Sequence, residues 1–303
     1  MTTSVTPASG RGPVPAPPAV ASAGAPGARA GGVAVEAHDL LLAYGTRTAL
    51  AGATFSLPAG RSVALIGPNG SGKSTLLRAL AGLVEPRAGH LAVPARHRRG
   101  DVALVLQTTD VDRTLPVTVR ETVTLARYAT RGAFGRLRGP DRAAVDRALG
   151  RMDVADLAGR QLHELSGGQR QRVLVAQGLA QESELLLLDE PVTGLDVVSR
   201  ELILDAVADE RAAGRTVVVS THDLDDARRA DLVLLLANRV VAFGPPDDVL
   251  TDEPLCEAYG GRVLRVPEGV IVMDDPHHDH RHDHHPDVPH DDACTRETHR
   301  AGG

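Results

Sequence analysis

Of the 33 Lys and Arg residues in this chain, a single one, Lys73, is lysine. It stands in "GPNGSGKST", that is Gly67, Pro68, Asn69, Gly70, Ser71, Gly72, Lys73, Ser74 and Thr75. Elsewhere the sequence uses arginine for every cation, so the position that keeps lysine is the first place to look for chemistry. The spacing G-x-x-x-x-G-K-[ST] follows the apolar "SVALIG" and precedes the helical "KSTLLRALAGL". In that context a glycine-rich loop lets backbone N–H groups curl round phosphates, and the helix start adds positive potential. The ammonium reaches the outer phosphates and the Ser74 hydroxyl can hold Mg2+. A second apolar run, "LLLLDE", brings Asp189 and Glu190 to the C-terminal end of a strand, where open parallel sheets bind ligands. Asp189 suits the Mg2+ shell, and Glu190, one residue on, can polarise a water. Alone, either motif could be a turn or a helix cap; together they point to cleavage of a nucleoside triphosphate.

A third motif, "LSGGQRQRV" at 165–173, has no role in a generic phosphate-loop enzyme. Ser166 reads as a helix N-cap and Gly167 and Gly168 open the helix behind it, which makes a second anion site. Here the sequence resembles the ATPase subunits of ATP-binding cassette (ABC) transporters. The resemblance implies that Ser166, Gly167, Gly168 and Gln169 close in trans on the γ-phosphate held by the other copy of a homodimer. Further family positions follow in order. Tyr44, 23 residues before the loop, is implied to stack on adenine. Gln107, ending a strand, is implied to sense the γ-phosphate and to face Mg2+ with Ser74 and Asp189. Asp196 stands in "TGLD", where many relatives have "SALD", and His222 in "STHD" is implied to contact the γ-phosphate. Glu190, His222, Gln107 and Lys73 form the expected catalytic set, with ATP and Mg2+ as cofactors.

These residues need a scaffold, and the pattern of the chain supplies one. Buried-strand patterns recur at 102–107, 185–190, 216–221 and 232–236, several of them separated by helical patterns such as "SRELILDAVADERAAG". They predict an α/β fold with a mostly parallel sheet. Before the loop, "VAVEAHDLLLAY" and "TALAGATFSL" flank "GTR" as an antiparallel pair. The resemblance sharpens this to a RecA-like parallel-sheet core with an antiparallel β subdomain and an inserted α-helical subdomain at about 108–180. Residues 1–32, rich in Pro, Ala, Gly and Ser, read as a disordered arm, 33–266 as the ATPase domain, and 267–303 as a disordered His/Asp-rich tail.

A net charge of -6 argues against a generic nucleic-acid binder. Two cysteines are too few for a disulfide framework. No apolar run is long enough to span a membrane, so a membrane role requires a partner. The resemblance implies one: integral-membrane permease subunits, fed by an extracytoplasmic metal-binding protein, with this chain peripheral on the cytoplasmic face of the membrane. The spacing from Gln107 to the signature leaves no room for the long coiled coil of DNA-repair relatives, and there is no second cassette as in translation factors. "TTDVDRTLPVTVRETV" and "LTDEPLCEAYGG" look like segments of zinc, manganese and siderophore importer subunits. Eight of the 13 histidines lie in the tail, six of them, His277, His278, His280, His282, His284 and His285, within "HHDHRHDHH". Imidazoles at such spacing can present three or four nitrogens to Zn2+ without a preformed site. The expectation is therefore a zinc importer ATPase with a zinc-binding tail; manganese, iron, another solute or an exporter role are the alternatives.

Overall fold

A computed structural model describes residues 32–107, 116–132 and 134–260, together with the backbone of 263–266 and 269–272. Two long strands, β1 (Val33–Tyr44) and β2 (Arg47–Pro58), form the expected hairpin, turning at Gly45 and Thr46. The loop strand β3 (Ser62–Ile66) is buried along its whole length and leads through 67–72 into α1 (Lys73–Leu80). Next come β4 (Ala88–Ala92) and β5 (Val102–Val105), then three helices, α2 (Val119–Arg131), α3 (Gly139–Arg151) and α4 (Gly167–Ala180). The remainder alternates: β6 (Leu185–Asp189), α5 (Val197–Ala212), β7 (Thr216–Ser220), α6 (Leu224–Arg228), β8 (Leu232–Leu236), β9 (Val240–Gly244), α7 (Pro246–Val249) and α8 (Asp252–Tyr259). A last hairpin joins β10 (Val263–Val266) to β11 (Gly269–Val272).

The strands sort into a six-stranded sheet of order β5-β6-β7-β3-β8-β9 and a three-stranded antiparallel sheet of order β2-β1-β4. All neighbours in the larger sheet are parallel except β8 and β9. A central strand covered on both faces must be apolar on both, which is why β6 reads Leu-Leu-Leu-Leu without alternation. Leu185 and Leu187 face a core shared with β1, β2 and α1, whereas Leu186 and Leu188 face a core built from α2, α3, α4 and α5. A third cluster, under α6, α7 and α8, covers Ala64 and Ile66 of β3 and Val233 and Leu235 of β8. Each strand that carries a site residue is thus fixed from both sides.

Two strands are not announced by periodicity. β4 is largely exposed and contains glycine, and it exists because it pairs with β1 along Glu36 to Leu41. β9 lies at the sheet edge, half-buried throughout, and turns antiparallel through Ala237, Asn238 and Arg239.

Candidate active site

The loop of 67–72 is shaped by contacts that exclude side chains. A Cβ on Gly67, at φ 149°, would stand 2.0 Å from the Leu236 carbonyl oxygen. One on Gly72, at φ 104°, would stand 2.6 Å from that of Ala49. Both positions therefore require glycine. Helix α1 begins at Lys73 with no side-chain cap and no acidic residue in its first turn. Its leading N–H groups and positive dipole end are thus left for an anion. Lys73 is buried, its Nζ donating to the carbonyls of Gly67 and, at 3.1 Å, of Pro68. The buried hydroxyl of Ser71 has no hydrogen-bond partner among the described residues. This cradle of donors fits a phosphate.

Parallel pairing of β3, β7 and β6 brings three strand ends together beside that loop. Asp189, 4% exposed at the end of β6, accepts from Ser74 Oγ at 3.1 Å and from Ser220 Oγ at 2.7 Å. A hydroxyl and a carboxylate so close are hard oxygen donors of the kind Mg2+ takes. Glu190 leaves the strand in the left-handed region, φ 45°. Its N–H donates to Ser220 Oγ at 2.9 Å, so one serine orders both acidic residues. The turn aims the Glu190 carboxylate away from Asp189 and into a separate set of contacts. Gln107 Nε2 donates to Glu190 Oε2 at 3.4 Å, Thr193 Oγ1 donates to the same oxygen at 3.1 Å, and His222 Nδ1 lies 3.8 Å from it. Gln107, the consecutive Asp189 and Glu190, and His222, drawn from three separate segments, thus meet beside Lys73 and Ser74.

The other expected residues lie at the margins. Tyr44 ends β1 with 47% of its surface exposed, paired across the hairpin with Arg47. A Cβ on Gly70 would be 3.7 Å from Arg47 Nη2, so this hairpin end reaches the phosphate loop. Ser166 and Gly167 are exposed at the start of α4. Ser166 Oγ accepts from Gln169 N at 3.3 Å and Gln169 Oε1 accepts from Ser166 N at 3.1 Å, a capping box that leaves the exposed helix start presented to solvent. Asp196 caps α5 through Ser199, and the backbone N–H of Ser199 holds its carboxyl below the usual range. Gly168 abuts this cap: a Cβ there would be 3.4 Å from Asp196 Oδ2. The tail histidines His277, His278, His280, His282, His284 and His285 lie outside the described residues.

Several contributors carry no sequence signal of their own. Ser220 was visible only as the first letter of "STHD". Asn238, in the β8–β9 turn at φ 56°, donates from Nδ2 to the carbonyls of Gly70 at 2.8 Å and Ala49 at 3.0 Å, and from its backbone N–H to that of Ser71. It clasps the phosphate loop to β2 from a distance of more than a hundred and sixty positions in the chain.

Comparison with known proteins agrees with this geometry. A family model described as ABC transporter matches residues 50–193. The chain is 38% identical over 243 residues to the manganese transport system ATP-binding protein MntB of Halalkalibacterium halodurans, covering 79% of this chain and 97% of that one. It is 41% identical to the chelated iron transport system membrane protein YfeB of Yersinia pestis, over 75% of this chain and 79% of the relative. With the zinc transport system ATP-binding protein TroB of Treponema pallidum it shares 38% identity, over 76% and 88%. Among solved structures, a metal-chelate type ABC transporter in an inward-facing conformation superposes with TM-score 0.66 at 28% identity, over 78% of this chain and 94% of its own. A dimeric ATP-binding cassette in a post-hydrolysis state, bound to ADP and Pi, gives 0.63 at 27%, over 70% and 98%. Phosphate loop, paired acidic residues and signature helix on one α/β scaffold, matched over 79% to 97% of the length of such relatives, lead to one conclusion: this chain belongs to the ABC transporter family, as an ATP-hydrolysing cassette.

Proposed function

We propose that this cassette drives import of a divalent transition metal, zinc in the first instance, as the peripheral ATPase of a membrane permease on its cytoplasmic face. An extracytoplasmic metal-binding protein would deliver the cargo, and two copies of the cassette would work together. The reading is carried by the meeting of Gln107, Asp189, Glu190 and His222 beside the phosphate loop. The choice of metal rests on relatives named for manganese, iron and zinc transport and on the six clustered tail histidines, whose imidazoles favour zinc. Manganese or iron is the second reading, favoured by the names of two of those relatives.

In this reading the loop amides and Lys73 bind the β- and γ-phosphates of ATP, and Tyr44 stacks on the adenine. Ser166 and Gly168 of the second copy close over the γ-phosphate. Glu190 accepts a proton from water as the water oxygen bonds to the γ-phosphorus, while the β–γ bridging bond breaks and ADP takes its electron pair. Ser74 and Asp189, with Gln107 facing them, would hold Mg2+, which would supply the positive charge that offsets the charge developing on the phosphate oxygens. Gln107 and His222 both face Glu190 Oε2, which suits them to register loss of the γ-phosphate.

The test is uptake of zinc, manganese and iron by a strain lacking the gene, with and without its restoration. Restored zinc uptake and growth on chelated medium support zinc. Recovery for manganese or iron alone transfers the function to that metal, and recovery for none removes the importer reading. Deleting 274–303 should abolish zinc binding by the tail in calorimetry while leaving ATP hydrolysis intact; equal zinc binding by both forms would end the metal reading of the tail.

A further inference from the structure

Helix α5 starts at the Asp196 cap, and Arg200 lies one turn in, its backbone N–H donating to the Asp196 carbonyl at 3.0 Å. The Arg200 guanidinium points across to the loop that holds His222. Its Nη2 donates to Asp223 Oδ2 at 2.8 Å and to Asp226 Oδ1 at 2.6 Å, and its Nε donates to Asp226 Oδ1 at 3.2 Å. Asp223 adjoins His222 and is itself the cap of α6, accepting from the N–H groups of Asp225 at 2.8 Å and Asp226 at 3.3 Å. Asp226 is buried, its Oδ2 has no hydrogen-bond partner among the described residues, and Arg200 is the guanidinium that hydrogen-bonds its other oxygen. A neighbouring pair, Arg229 with Glu201, also joins α6 to α5 but touches neither carboxylate beside His222 through its hydrogen bonds.

From this arrangement we infer that Arg200 is a positioning residue for hydrolysis: it fixes the His222 loop to the start of α5, so that the place of His222 against Glu190 follows the place of the Asp196 cap. The inference rests on the role given to His222 above. The contacts form one line within a single chain. Gly168 of the signature helix abuts Asp196 and Ser199, Arg200 extends from the same turn, and Asp223 connects it to His222, 3.8 Å from Glu190. Val197 and Val198 at the head of α5 are 76% and 68% exposed, so anything that docks there acts on the turn that Arg200 anchors. A guanidinium fork suits this task because it satisfies two carboxylates in one plane, which an ammonium cannot reproduce.

The test compares steady-state ATP hydrolysis by the full chain and by R200Q, R200K, D223N and R229Q, with ATP affinity and melting temperature measured on each. R200Q and D223N should lower kcat by about 10- to 100-fold with KM for ATP within about twofold, as expected when a reacting group is displaced by a fraction of an ångström to an ångström. R200K should recover part of the rate, and R229Q should keep kcat although it breaks a parallel ion pair between the same helices. In an H222A background R200Q should cause no further loss, since the two act as one unit. Equal behaviour of R200Q and R229Q, or full additivity with H222A, would overturn the inference and leave Arg200 a structural staple. Unchanged turnover in H222A alone would instead overturn the role of His222 on which the inference rests. Should R200Q fail to fold, D223N, which keeps the α6 cap acceptor, carries the same comparison.

Discussion

Glu190 is one of five non-glycine residues with positive φ among those described. A bulky side chain there costs about 1–3 kcal/mol, and such strain persists only where the surroundings over-determine it. Here Ser220 fixes its N–H, while Gln107 and Thr193 fix its carboxylate. The strain has a chemical result: consecutive carboxylates face different tasks, Asp189 toward Ser74 and Glu190 toward His222. Lys73 shows selection at the same scale. It is buried with its ammonium on the Gly67 and Pro68 carbonyls, a compact point donor that a broader, planar guanidinium does not reproduce. K73R should therefore lower kcat by about 100-fold or more, the loss typical of removing one donor to developing charge. Phosphate release measured beside a thermal melt checks it, with the melt expected to change little. These motif residues were legible because each is defined by near neighbours in sequence. Ser220, Asn238 and Arg200 were not, because their roles arise from contacts made only after the sheet is assembled.

Elements hold the site through a few cross-links. Asn238 ties the β8–β9 turn to the phosphate loop and to β2, and its left-handed backbone suits glycine as well as asparagine. N238G thus removes the amide clasp without straining the turn. With each exposed hydrogen bond worth about 1 kcal/mol or less, KM for ATP should rise about 3- to 10-fold at constant kcat, read from ATP titrations of the two proteins. In the helical layer, Asp141 is fully buried at the start of α3 and accepts from Arg127 and Arg131 of α2 and from the Arg138 N–H. Burial would raise its pKa, but the Arg138 N–H and the two guanidiniums together outweigh that and hold it down to about 2. A folded value below the ordinary 3.8 means the contribution is complete above about pH 4 and is lost as pH falls through about 2. D141N, which removes one of the two carboxylates paired with the buried Arg127 and leaves it Glu182 alone, should cost about 3 kcal/mol at neutral pH. Urea titrations at several pH values should show this gap closing between about pH 4 and pH 2. The major strands and α5 could be read from periodicity to within a few residues. The exposed β4 and the edge strand β9 could not, since neither buries a continuous or alternating apolar face.

At the scale of the whole molecule, the starts of α1 and α4 differ in their surroundings. That of α1 is enclosed by β2, the β8–β9 turn and the end of β6. The start of α4 presents Ser166 and Gly167 outward, with Gly168 against the Asp196 cap that the exposed Val197 and Val198 follow in sequence. A helix start that offers donors to solvent fits a site completed by another copy of the chain. No helix among the described residues is long and apolar enough to cross a membrane. The proposal that ATP is bound between two copies and cleaved with Glu190 as base is tested most directly by the particle mass of E190Q in ATP and Mg2+, with bound nucleotide counted on the same sample. Binding uses Lys73 and the loop amides whereas proton removal uses Glu190, so E190Q should form a dimer that retains two uncleaved ATP. A monomer with bound ATP would contradict the composite site, and a dimer that turns over ATP at the wild-type rate would show that another group is the base.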